Sequence, residues 1–479
     1  MPNVLSPVHD VYAAVDIGAS SGRVILGRMG ADGPSLEVVH RFPNGVQEID
    51  GALRWDIRAL FAEVLRGLTL ARERAETNGE RVVSIGVDTW AVDYGLMNDD
   101  GNLAALPYSY RDGRTAAAVE KVHQRVPFEH LYELTGLQFL PFNTVYQLAA
   151  EPSLTGQALL IPDLLGFWLT GKRRCEVTNA STTGLLDAST GSFAAELFDA
   201  LQIPCTLFPS LIEPGETLGT LLPSIAAETG LSAETAVVAV GSHDTASAVA
   251  AVPASSPNFA YISSGTWSLV GVELAEPILS EAGRAANFTN ERGVDGTIRY
   301  LRNCGGLWLL QECLREWGPS VTLEAVLAEA ELLPDGGPVI DADSDDFIVP
   351  DNMPARIRAA ADAALESEAA VVRCILDSLA LVYARTLRQA AELAGRPIDV
   401  VHIVGGGSQN RLLCRLTADA TGLPVVAGPV EATALGNVLV QARANGALGN
   451  NATLAEIRAA VRRTAQTQHY QPNKSLSTI

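Results

Sequence analysis

Residues 11–26 read VYAAVDIGASSGRVIL, and they predict the element on which the rest of the fold is built. The first seven residues are almost all apolar, which indicates a buried strand, and a second apolar run starts at Val24. Between these runs, residues 18–22 are all glycine, alanine or serine, as in a tight turn. The stretch is therefore predicted to form a β-hairpin.

The turn of this hairpin has two chemical interpretations. Residues 18–22 match the G-x-S-x-G elbow of serine hydrolases, with Ser20 as nucleophile, but an elbow leads into a helix and must have a histidine in reach. Residues 23–27 instead continue as a strand, which favours a turn whose N–H groups and hydroxyls surround an anion, with Arg23 adding charge. Asp16 before the turn is either a turn-forming aspartate or the carboxylate that orients hydrated Mg²⁺.

The same order of elements occurs twice along the chain. The first hairpin is followed by a helix for which Asp56 is a suitable N-cap, and then by a buried strand at residues 82–87. The second half repeats this order with a hairpin at residues 259–272, a helix at about residues 368–393 and a strand at residues 400–404. The repetition predicts a duplicated α/β architecture whose two hairpin turns face each other across a cleft.

Length and composition agree with two large domains. The chain has 479 residues, of which 47% are hydrophobic and 19% are charged, and this is typical of a soluble globular protein. The boundary is predicted near residues 252–257, which gives an N-terminal domain of residues 1–252 and a C-terminal domain of residues 253–479.

The net charge restricts the partners. The 55 acidic and 34 basic residues give a formal charge of −21, the wrong sign for neutralising a nucleic-acid backbone or an anionic membrane over a broad surface. We expect no nucleic acid and no membrane partner. A polyanionic substrate such as a nucleotide would have to be held locally, by oriented N–H groups, one or two basic side chains and a divalent cation.

Cysteines and termini indicate a cytoplasmic protein. The six cysteines include no C-x-x-C pair and are interpreted as reduced thiols. Residues 1–10 lack the basic and apolar regions of a signal peptide, and the apolar run at residues 159–169 is interrupted by a proline and an aspartate.

A second group of candidate residues follows a strand predicted at residues 237–240. Asp244 then lies in the first turn of a helix, either as a capping aspartate or as a general base for a substrate hydroxyl. His243 either binds a sugar hydroxyl or is a satisfied, half-buried side chain. Asn303 and Gln311 are predicted near the start of an apolar helix, where amides cap the helix or bind a ligand.

The three glycines at residues 405–407 follow the strand that ends at residue 404 and precede a helix predicted to be capped by Ser408. They do not spell the dinucleotide-binding fingerprint. The turn either lets a nucleotide approach the backbone or is purely structural.

Six segments together resemble the FGGY family of carbohydrate kinases. They occur in the family's order between about residues 11 and 470 and comprise residues 14–23, 88–93, 138–144, 242–248, 263–268 and 403–410. The first segment alone is similar to the wider class of actin-like ATPases. The segments that begin at Gln138, Ser242 and Ser263 together resemble those members of the family that act on L-rhamnulose.

The resemblance implies an α/β fold of two actin-like (ribonuclease H-like) domains, each a mixed sheet flanked by helices, with ATP and a ketose in the cleft between them. It implies ATP-dependent phosphorylation of the C1 hydroxyl of L-rhamnulose, in L-rhamnose degradation, with ATP and Mg²⁺ as cofactors. The expected partners are a small-molecule sugar and Mg-ATP, and the expected assembly is a monomer or homodimer.

Position by position, the resemblance makes Asp244 the catalytic base, while His243, Thr245 and Asn303 hold the sugar. Asp16 is assigned to Mg²⁺. Nucleotide contacts are implied for the first hairpin, for the second hairpin and for the adenosine-side loop: Ala19, Ser20, Ser21, Gly22, Arg23, Thr266, Gln311 and Gly406. Ala91 stands in the sugar pocket where the family pattern has glycine, so the range of sugars accepted is open.

Two further alternatives remain at this point. One is a kinase of the same family for another ketose or deoxysugar such as L-fuculose. The other is a noncatalytic sugar or nucleotide sensor on the same scaffold, since a fold does not determine a function.

Overall fold

The computed structural model describes residues 9–98, 100–348, 351–449 and 451–473. Its strands are β1 (His9–Ile17), β2 (Ser21–Gly30), β3 (Gly33–Pro43), β4 (Val46–Ile49), β5 (Ala52–Trp55), β6 (Glu80–Thr89), β7 (Tyr94–Met97), β8 (Gln157–Leu160), β9 (Cys175–Glu176), β10 (Leu211–Ile212), β11 (Thr217–Thr220), β12 (Ala236–Val238), β13 (Phe259–Ser264), β14 (Trp267–Leu274), β15 (Thr289–Arg292), β16 (Ile298–Gly305), β17 (Val400–Val404), β18 (Val425–Ala427) and β19 (Gln468–Tyr470).

The α-helices are α1 (Ile57–Thr77), α2 (Ala116–Arg125), α3 (Phe128–Thr135), α4 (Thr144–Ala149), α5 (Ile161–Thr170), α6 (Val177–Ala180), α7 (Ala195–Leu201), α8 (Pro223–Thr229), α9 (Asp244–Ala250), α10 (Glu281–Ala285), α11 (Trp308–Trp317), α12 (Leu323–Glu331), α13 (Met353–Ala360), α14 (Glu368–Ala394), α15 (Arg411–Thr421), α16 (Ala432–Ala444) and α17 (Leu454–Thr464). Across the described residues, no helix is both long and apolar enough to cross a membrane. The expectation about a signal peptide concerns a stretch of which residues 1–8 lie outside the described part.

The chain folds into two compact units. The first contains the described residues up to Pro253 together with Leu274–Arg299 and Thr433–Thr464. The second contains Ala254–Glu273, Tyr300–Ala432 and the described residues from Ala465 onward. The sequence-based division placed all of residues 253–479 in the C-terminal domain, whereas two segments of that range belong to the first unit.

Packing against the first sheet explains why α16 belongs to the first unit. Tyr12 and Ala14 of β1 share a buried cluster with Val438 of α16. Gly27 makes room for this helix, because a Cβ atom at that position would lie 2.3 Å from the Val438 side chain. These contacts join residues more than 400 positions apart, which local patterns do not record.

The first sheet has the strand order β11-β12-β6-β1-β2-β3. β1 pairs antiparallel with β2 and parallel with β6, so the predicted hairpin and buried strand are confirmed. Alternate residues of β1 face opposite sides: Val11 and Val15 pack in the core that includes α1, whereas Tyr12 and Ala14 pack with α16. Because both faces are covered, β1 is a nearly continuous apolar run.

The helix α1 begins where the sequence predicts it. The Asp56 side chain accepts a hydrogen bond from the Ala59 N–H at 3.0 Å, which satisfies a backbone donor in the first turn. Its buried face packs into the core beneath β1.

The second sheet repeats this arrangement. Its seven strands lie in the order β15-β16-β14-β13-β17-β18-β19, in which β13 pairs antiparallel with β14 and parallel with β17. From β16 to β19 this order matches β3-β2-β1-β6-β12-β11 position for position, and β15 is an additional edge strand. Ser367 caps the crossover helix α14, and Gly395 ends it in the left-handed conformation. The predicted duplication of the α/β architecture is confirmed.

Candidate active site

The β1–β2 turn presents hydroxyl groups and does not form a nucleophile elbow. The Gly18 N–H donates to the Ser21 carbonyl at 2.9 Å, and both Ser20 and Ser21 are exposed. The turn is braced by Asn44, whose side-chain amide donates to the Gly18 carbonyl at 2.8 Å. Because the chain enters strand β2 after the turn, the serine-hydrolase alternative is wrong.

Around this turn, the candidate phosphate and metal residues contact each other. Arg23 donates from Nε and Nη2 to Asp16 Oδ2, at 3.0 and 2.8 Å. Ala19 is half-buried in the turn, and Gly22 lies under Phe42, whose ring would be 2.3 Å from a Cβ atom there. The turn therefore brings Ala19, Gly22, Arg23 and Asp16 together at one end of the hairpin.

A buried carboxylate lies beside Asp16. Asp88 of β6 is opposite Asp16 in the parallel register and is fully buried. Asn437 of α16 donates to Asp88 Oδ2 at 2.6 Å. Burial, the nearby Asp16 carboxylate and the Asp244 carboxylate raise the pKa of Asp88 well above its usual range. The first unit thus collects three carboxylates whose charges repel one another.

The oxygen donors at this end of the hairpin fit magnesium. In the described ranges of the chain, no group of three or more histidine, cysteine, aspartate or glutamate side chains forms a complete metal cage. Mg²⁺ does not need one, because it usually takes one or two carboxylates and completes its shell with phosphate oxygens and water. The carboxylate of Asp16, next to the exposed hydroxyls of the turn, is a donor set of this kind.

Asp244 is accessible and held in place. It is the first residue of α9, and its side chain is 32% exposed. The Thr245 hydroxyl donates to Asp244 Oδ1 at 3.0 Å. The N-cap position belongs to His243, so Asp244 is not the capping aspartate that one interpretation of the sequence allowed. A carboxylate that is fixed at its base and open at its tip can accept a proton from a bound hydroxyl.

His243 is oriented by two buried charged side chains that the sequence analysis missed. Arg299 donates from Nη2 to His243 Nδ1 at 3.1 Å, and its Nη1 lies 3.0 Å from Glu291 Oε2. Burial opposes ionisation of Glu291, but Arg299 and His243 hold its pKa below the usual value. His243 Nδ1 also lies 3.2 Å from Glu291 Oε2, and its Nε2 lies 3.6 Å from Asp244 Oδ1.

The loop before His243 is anchored by another missed residue. Glu176 is buried and accepts hydrogen bonds from the Ser242 N–H at 3.1 Å and the Ser242 hydroxyl at 2.6 Å. Burial raises the pKa of Glu176, and its many donors counteract this. The Thr89 N–H donates to the Ser242 carbonyl at 2.9 Å, which joins the end of β6 to the same loop. The segment that contains Ala91 therefore begins beside His243.

No local motif marks Glu291, Arg299 or Glu176. Arg299 and His243 are 56 residues apart in sequence, and they meet only because the chain returns to the first unit at Leu274–Arg299. Glu291 lies on a strand of four polar residues and Arg299 on a strand that also contains Arg302, so neither stands out in the sequence.

The second unit brings its own candidate residues together. At the β13–β14 turn, the Thr266 hydroxyl and Gln311 Oε1 are 3.5 Å apart, and the Trp308 N–H donates to the Thr266 carbonyl at 3.1 Å. The loop after β17 packs on the same hairpin, since a Cβ atom on Gly407 would lie 2.0 Å from the Ser264 hydroxyl. Thr266, Gln311 and Gly406 thus lie around one end of this sheet.

Two expectations in this unit are wrong in detail. Asn303 is not near the start of the helix, but lies on strand β16, five residues before α11 begins. The helix after the glycines starts at Arg411 and is capped by Asn410, whose side chain accepts from the Leu413 N–H at 3.0 Å. A short 3₁₀ turn at Gly406–Gln409 occupies the place where Ser408 was expected to cap.

Two family models cover most of the chain. Residues 11–251 match the N-terminal domain of the FGGY family of carbohydrate kinases, and residues 260–445 match its C-terminal domain. A rhamnulokinase from Bacteroides thetaiotaomicron is 42% identical over 96% of this chain and 96% of its own length. A rhamnulokinase from Enterococcus faecalis is 43% identical over 98% of this chain and 95% of its own length.

Solved structures share the fold at lower sequence identity. A ligand-bound xylulose kinase from Lactobacillus acidophilus has a TM-score of 0.78 and 16% identity, over 97% of this chain and 94% of that one. Plasmodium falciparum glycerol kinase with ADP has a TM-score of 0.75 and 15% identity, over 98% and 95% of the two chains. With its duplicated mixed sheets and the match of both family domains, the chain belongs to the FGGY family of carbohydrate kinases, enzymes that transfer a phosphoryl group to a sugar.

Proposed function

We propose that this protein is an ATP-dependent kinase that phosphorylates the C1 hydroxyl of L-rhamnulose, giving L-rhamnulose 1-phosphate and ADP, in L-rhamnose degradation. The observation that carries the proposal is the geometry of Asp244, a partly exposed carboxylate at the start of α9 beside an oriented histidine. The two relatives described as rhamnulokinases support the choice of sugar, because each aligns with nearly the whole chain.

In the proposed reaction, Asp244 accepts the proton of the C1 hydroxyl as that oxygen bonds to the γ-phosphorus of ATP. The bond from the γ-phosphorus to the bridging oxygen breaks, and the electron pair leaves with ADP. Positioning and electrostatic stabilisation provide most of the catalysis in phosphoryl transfer. The hydrogen bond from Thr245 fixes the carboxylate before the sugar arrives, so little reorganisation is needed.

The sugar is proposed to bind His243, Thr245, Asn303 and the segment at Ala91. Arg299 and Glu291 both face His243 Nδ1, so Nε2 is the ring nitrogen that is proposed to bind a sugar oxygen. The proposed contact of Asn303 is made from strand β16 of the second unit.

For the nucleotide, the first unit is proposed to contribute Ala19, Ser20, Ser21, Gly22 and Arg23 to the phosphates. The second unit is proposed to contribute Thr266 to the phosphates and Gln311 and Gly406 to the rest of the nucleotide. Asp16 would hold Mg²⁺, which neutralises negative charge on the phosphate oxygens when it is bound.

The setting is proposed to be the cytoplasm, with the enzyme as a monomer or homodimer. All six cysteines lie in the described part of the chain and are free thiols, and five of them are buried. Burial raises the pKa of Cys304, Cys313 and Cys414 to about 12, so these thiols resist oxidation. Free thiols are typical of a reducing compartment.

An ADP-release assay tests the proposal directly. Purified protein with Mg-ATP is offered L-rhamnulose, L-fuculose, L-ribulose, D-xylulose or glycerol, with a control that contains no sugar. We expect the largest kcat/KM with L-rhamnulose. A preference for L-fuculose or another sugar would keep the kinase mechanism and overturn the substrate, whereas a folded protein that releases no sugar-dependent ADP would favour the noncatalytic sensor.

A further inference from the structure

A strained residue follows β6, next to the proposed sugar contact at Ala91. Val92 has a φ angle of 68°, in the left-handed region. A β-branched side chain is a genuine outlier there, because its two Cγ atoms crowd the backbone. Such strain persists only where the surrounding structure holds it, and it clusters at functional sites.

Two side chains of α4 hold Val92 in this conformation. The Thr144 hydroxyl donates to the Val92 carbonyl at 2.7 Å, and Gln147 Nε2 lies 3.3 Å from the same oxygen. Thr144 is the last residue of the segment from Gln138 that resembles L-rhamnulose kinases, and no role has been assigned to this segment so far. Thr144 and Gln147, which we call the clasp, hold the strained turn at Val92 by these hydrogen bonds.

The next residue, Asp93, is a buried carboxylate surrounded by hydrogen-bond donors. Its Oδ2 accepts from the indole N–H of Trp55 at 2.6 Å, from the indole N–H of Trp90 at 3.0 Å and from the Tyr110 backbone N–H at 3.1 Å. Its Oδ1 accepts from Gln147 Nε2 at 2.9 Å. Since Gln147 also bonds to the Val92 and Phe142 carbonyls, one amide links the strained turn to the carboxylate.

The carboxylate lies behind a packed apolar surface formed by Trp90, Phe142 and Ala91, which we call the wall. The rings of Trp55 and Trp90 are 4.3 Å apart, and those of Tyr110 and Phe142 are 5.3 Å apart. Trp55 is fully buried, whereas Phe142 and Ala91 are half-buried and pack on the same core. The accessible part of this wall is therefore apolar: a phenyl ring and a methyl group.

The wall lies next to the proposed catalytic residues. β6 ends at Thr89, which forms a parallel bridge with His243, and Ala91 is two residues further on. The Trp90 N–H donates to the Ile17 carbonyl at 3.3 Å, so the turn is also joined to the phosphate hairpin. An apolar surface near the end of β6 suits an apolar group on the substrate, since it offers no hydrogen-bond partner to a hydroxyl.

We propose that Asp93 is a positioning residue that holds the wall of Ala91, Trp90 and Phe142 against the methyl end of a deoxysugar. This inference rests on the proposed function and deepens it, because L-rhamnulose ends in a methyl group at C6. Asp93 acts through Trp90 and the strained turn, and it does not touch the substrate. Thr144 and Gln147 thus connect α4 to the segment at residues 88–93.

Two sugars that differ only at C6 test whether the enzyme recognises the methyl group. L-fructose differs from L-rhamnulose only in carrying a hydroxyl at C6, so the ratio of their kcat/KM values reports on the wall. An apolar pocket rejects an added hydroxyl by about 10²-fold. We expect a ratio of that order for the wild type, a fall below about tenfold for Asp93→Asn, and a smaller fall of severalfold for Trp55→Phe, which removes one of the four donors to the carboxylate.

Trp168→Phe is the matched control. Trp168 packs edge-on against Phe61 in the same core and donates nothing to Asp93. Its ratio is expected to equal that of the wild type. If Asp93→Asn does not fold, the ratio measured for Trp55→Phe tests the role of Asp93, since this variant keeps an aromatic ring in the same place.

The outcomes separate this inference from the proposed function. Folded Asp93→Asn and Trp55→Phe variants that keep the wild-type ratio would overturn the role of Asp93 while leaving the kinase intact. A wild-type enzyme that prefers L-fructose would overturn recognition of the methyl group. A wild type that phosphorylates neither sugar would overturn the proposed function itself.

Discussion

The hairpins β1–β2 and β13–β14 hold the same place in the same strand order, but they carry different chemistry. The first ends in an ion pair between Asp16 and Arg23, whose register places them directly opposite each other. The second has Ser264 opposite Ser268 and only neutral side chains at the corresponding end. The duplicated scaffold has thus been kept while the charged groups were concentrated in the first unit.

Burial explains why the two units share one strand order but carry different side chains at the ends of their strands. The strand order depends on apolar residues that face helices on the two sides of each sheet, and a charge there would be costly. Residues at the strand ends lie outside this packing and are free to differ. In the first unit the buried carboxylates Asp88, Asp93 and Glu176 all lie at such strand ends or just beyond them.

Asp244→Asn is expected to have the largest effect, because it removes the proposed base from the first unit. Loss of a general base lowers kcat by about 10²- to 10⁴-fold. ATP binding, measured as the shift in Tm on adding the nucleotide, is expected to change little. Asp187→Asn, in a turn of the same unit, is the control and should keep its turnover. Unaltered turnover in Asp244→Asn would contradict the assignment.

Arg23→Met tests the charged hairpin and is expected to have the next largest effect. The variant removes a charge from the proposed phosphate site and leaves Asp16 without this partner. A charge-assisted hydrogen bond contributes about 1.5–3 kcal/mol, so kcat/KM for ATP should fall by about 10- to 100-fold. Arg81→Met, which breaks an exposed ion pair with Asp10 in the same sheet, should have no such effect. Equal losses in the two variants would point to a general effect on folding.

Thr266→Ala tests the neutral hairpin of the second unit. A neutral hydrogen bond contributes about 0.5–1.5 kcal/mol, so KM for ATP should rise by about 2- to 10-fold. The variant is compared with Arg23→Met in the same steady-state assay. A loss as large as that of Arg23→Met would remove the contrast between the hairpins.

A pH dependence of stability that belongs to the first unit is also expected, and it concerns folding and not turnover. Burial raises the pKa of Asp93 from 3.8 to about 6, although four donors favour the carboxylate. A raised pKa means that the folded state binds the proton more tightly, so this contribution to stability is complete below about pH 4 and is lost as pH rises to about 6.

Denaturant unfolding of wild type and Asp93→Asn at several pH values measures this effect. The free energy of unfolding of the wild type should fall relative to that of the variant between about pH 4 and pH 6, and stay level above that. A difference that does not change with pH would show that Asp93 does not titrate in this range.

The parts of the fold that local patterns predict are those built from neighbouring residues. The apolar runs at residues 11–17 and 400–404 and the cap at Asp56 were sufficient to predict β1, β17 and α1. The domain division followed the chain, whereas the compact units of the fold depart from chain order at α16, which packs with the first unit. The contact of Gly436 with the Ser247 carbonyl, 1.9 Å from where a Cβ atom would lie, joins segments that no periodicity connects.

The residues of the candidate site likewise divide into those that local sequence motifs predicted and those that depend on contacts between distant segments. Asp16, Asp244 and the hairpin residues were found because motifs of a known family contain them. Glu291 and Arg299 were missed because their roles depend on a contact with His243 that only the folded chain creates. Asp93 was quoted within a motif but given no role, since four donors from four parts of the chain define its surroundings.

The position of the phosphate on the product tests the central claim most directly. Purified protein is incubated with Mg-ATP and L-rhamnulose, and the product is examined by ¹³C and ³¹P NMR. We expect one sugar phosphate whose C1 signal is split by phosphorus, together with an equal amount of ADP. A phosphate on another carbon, or ADP with inorganic phosphate and unchanged sugar, would contradict it.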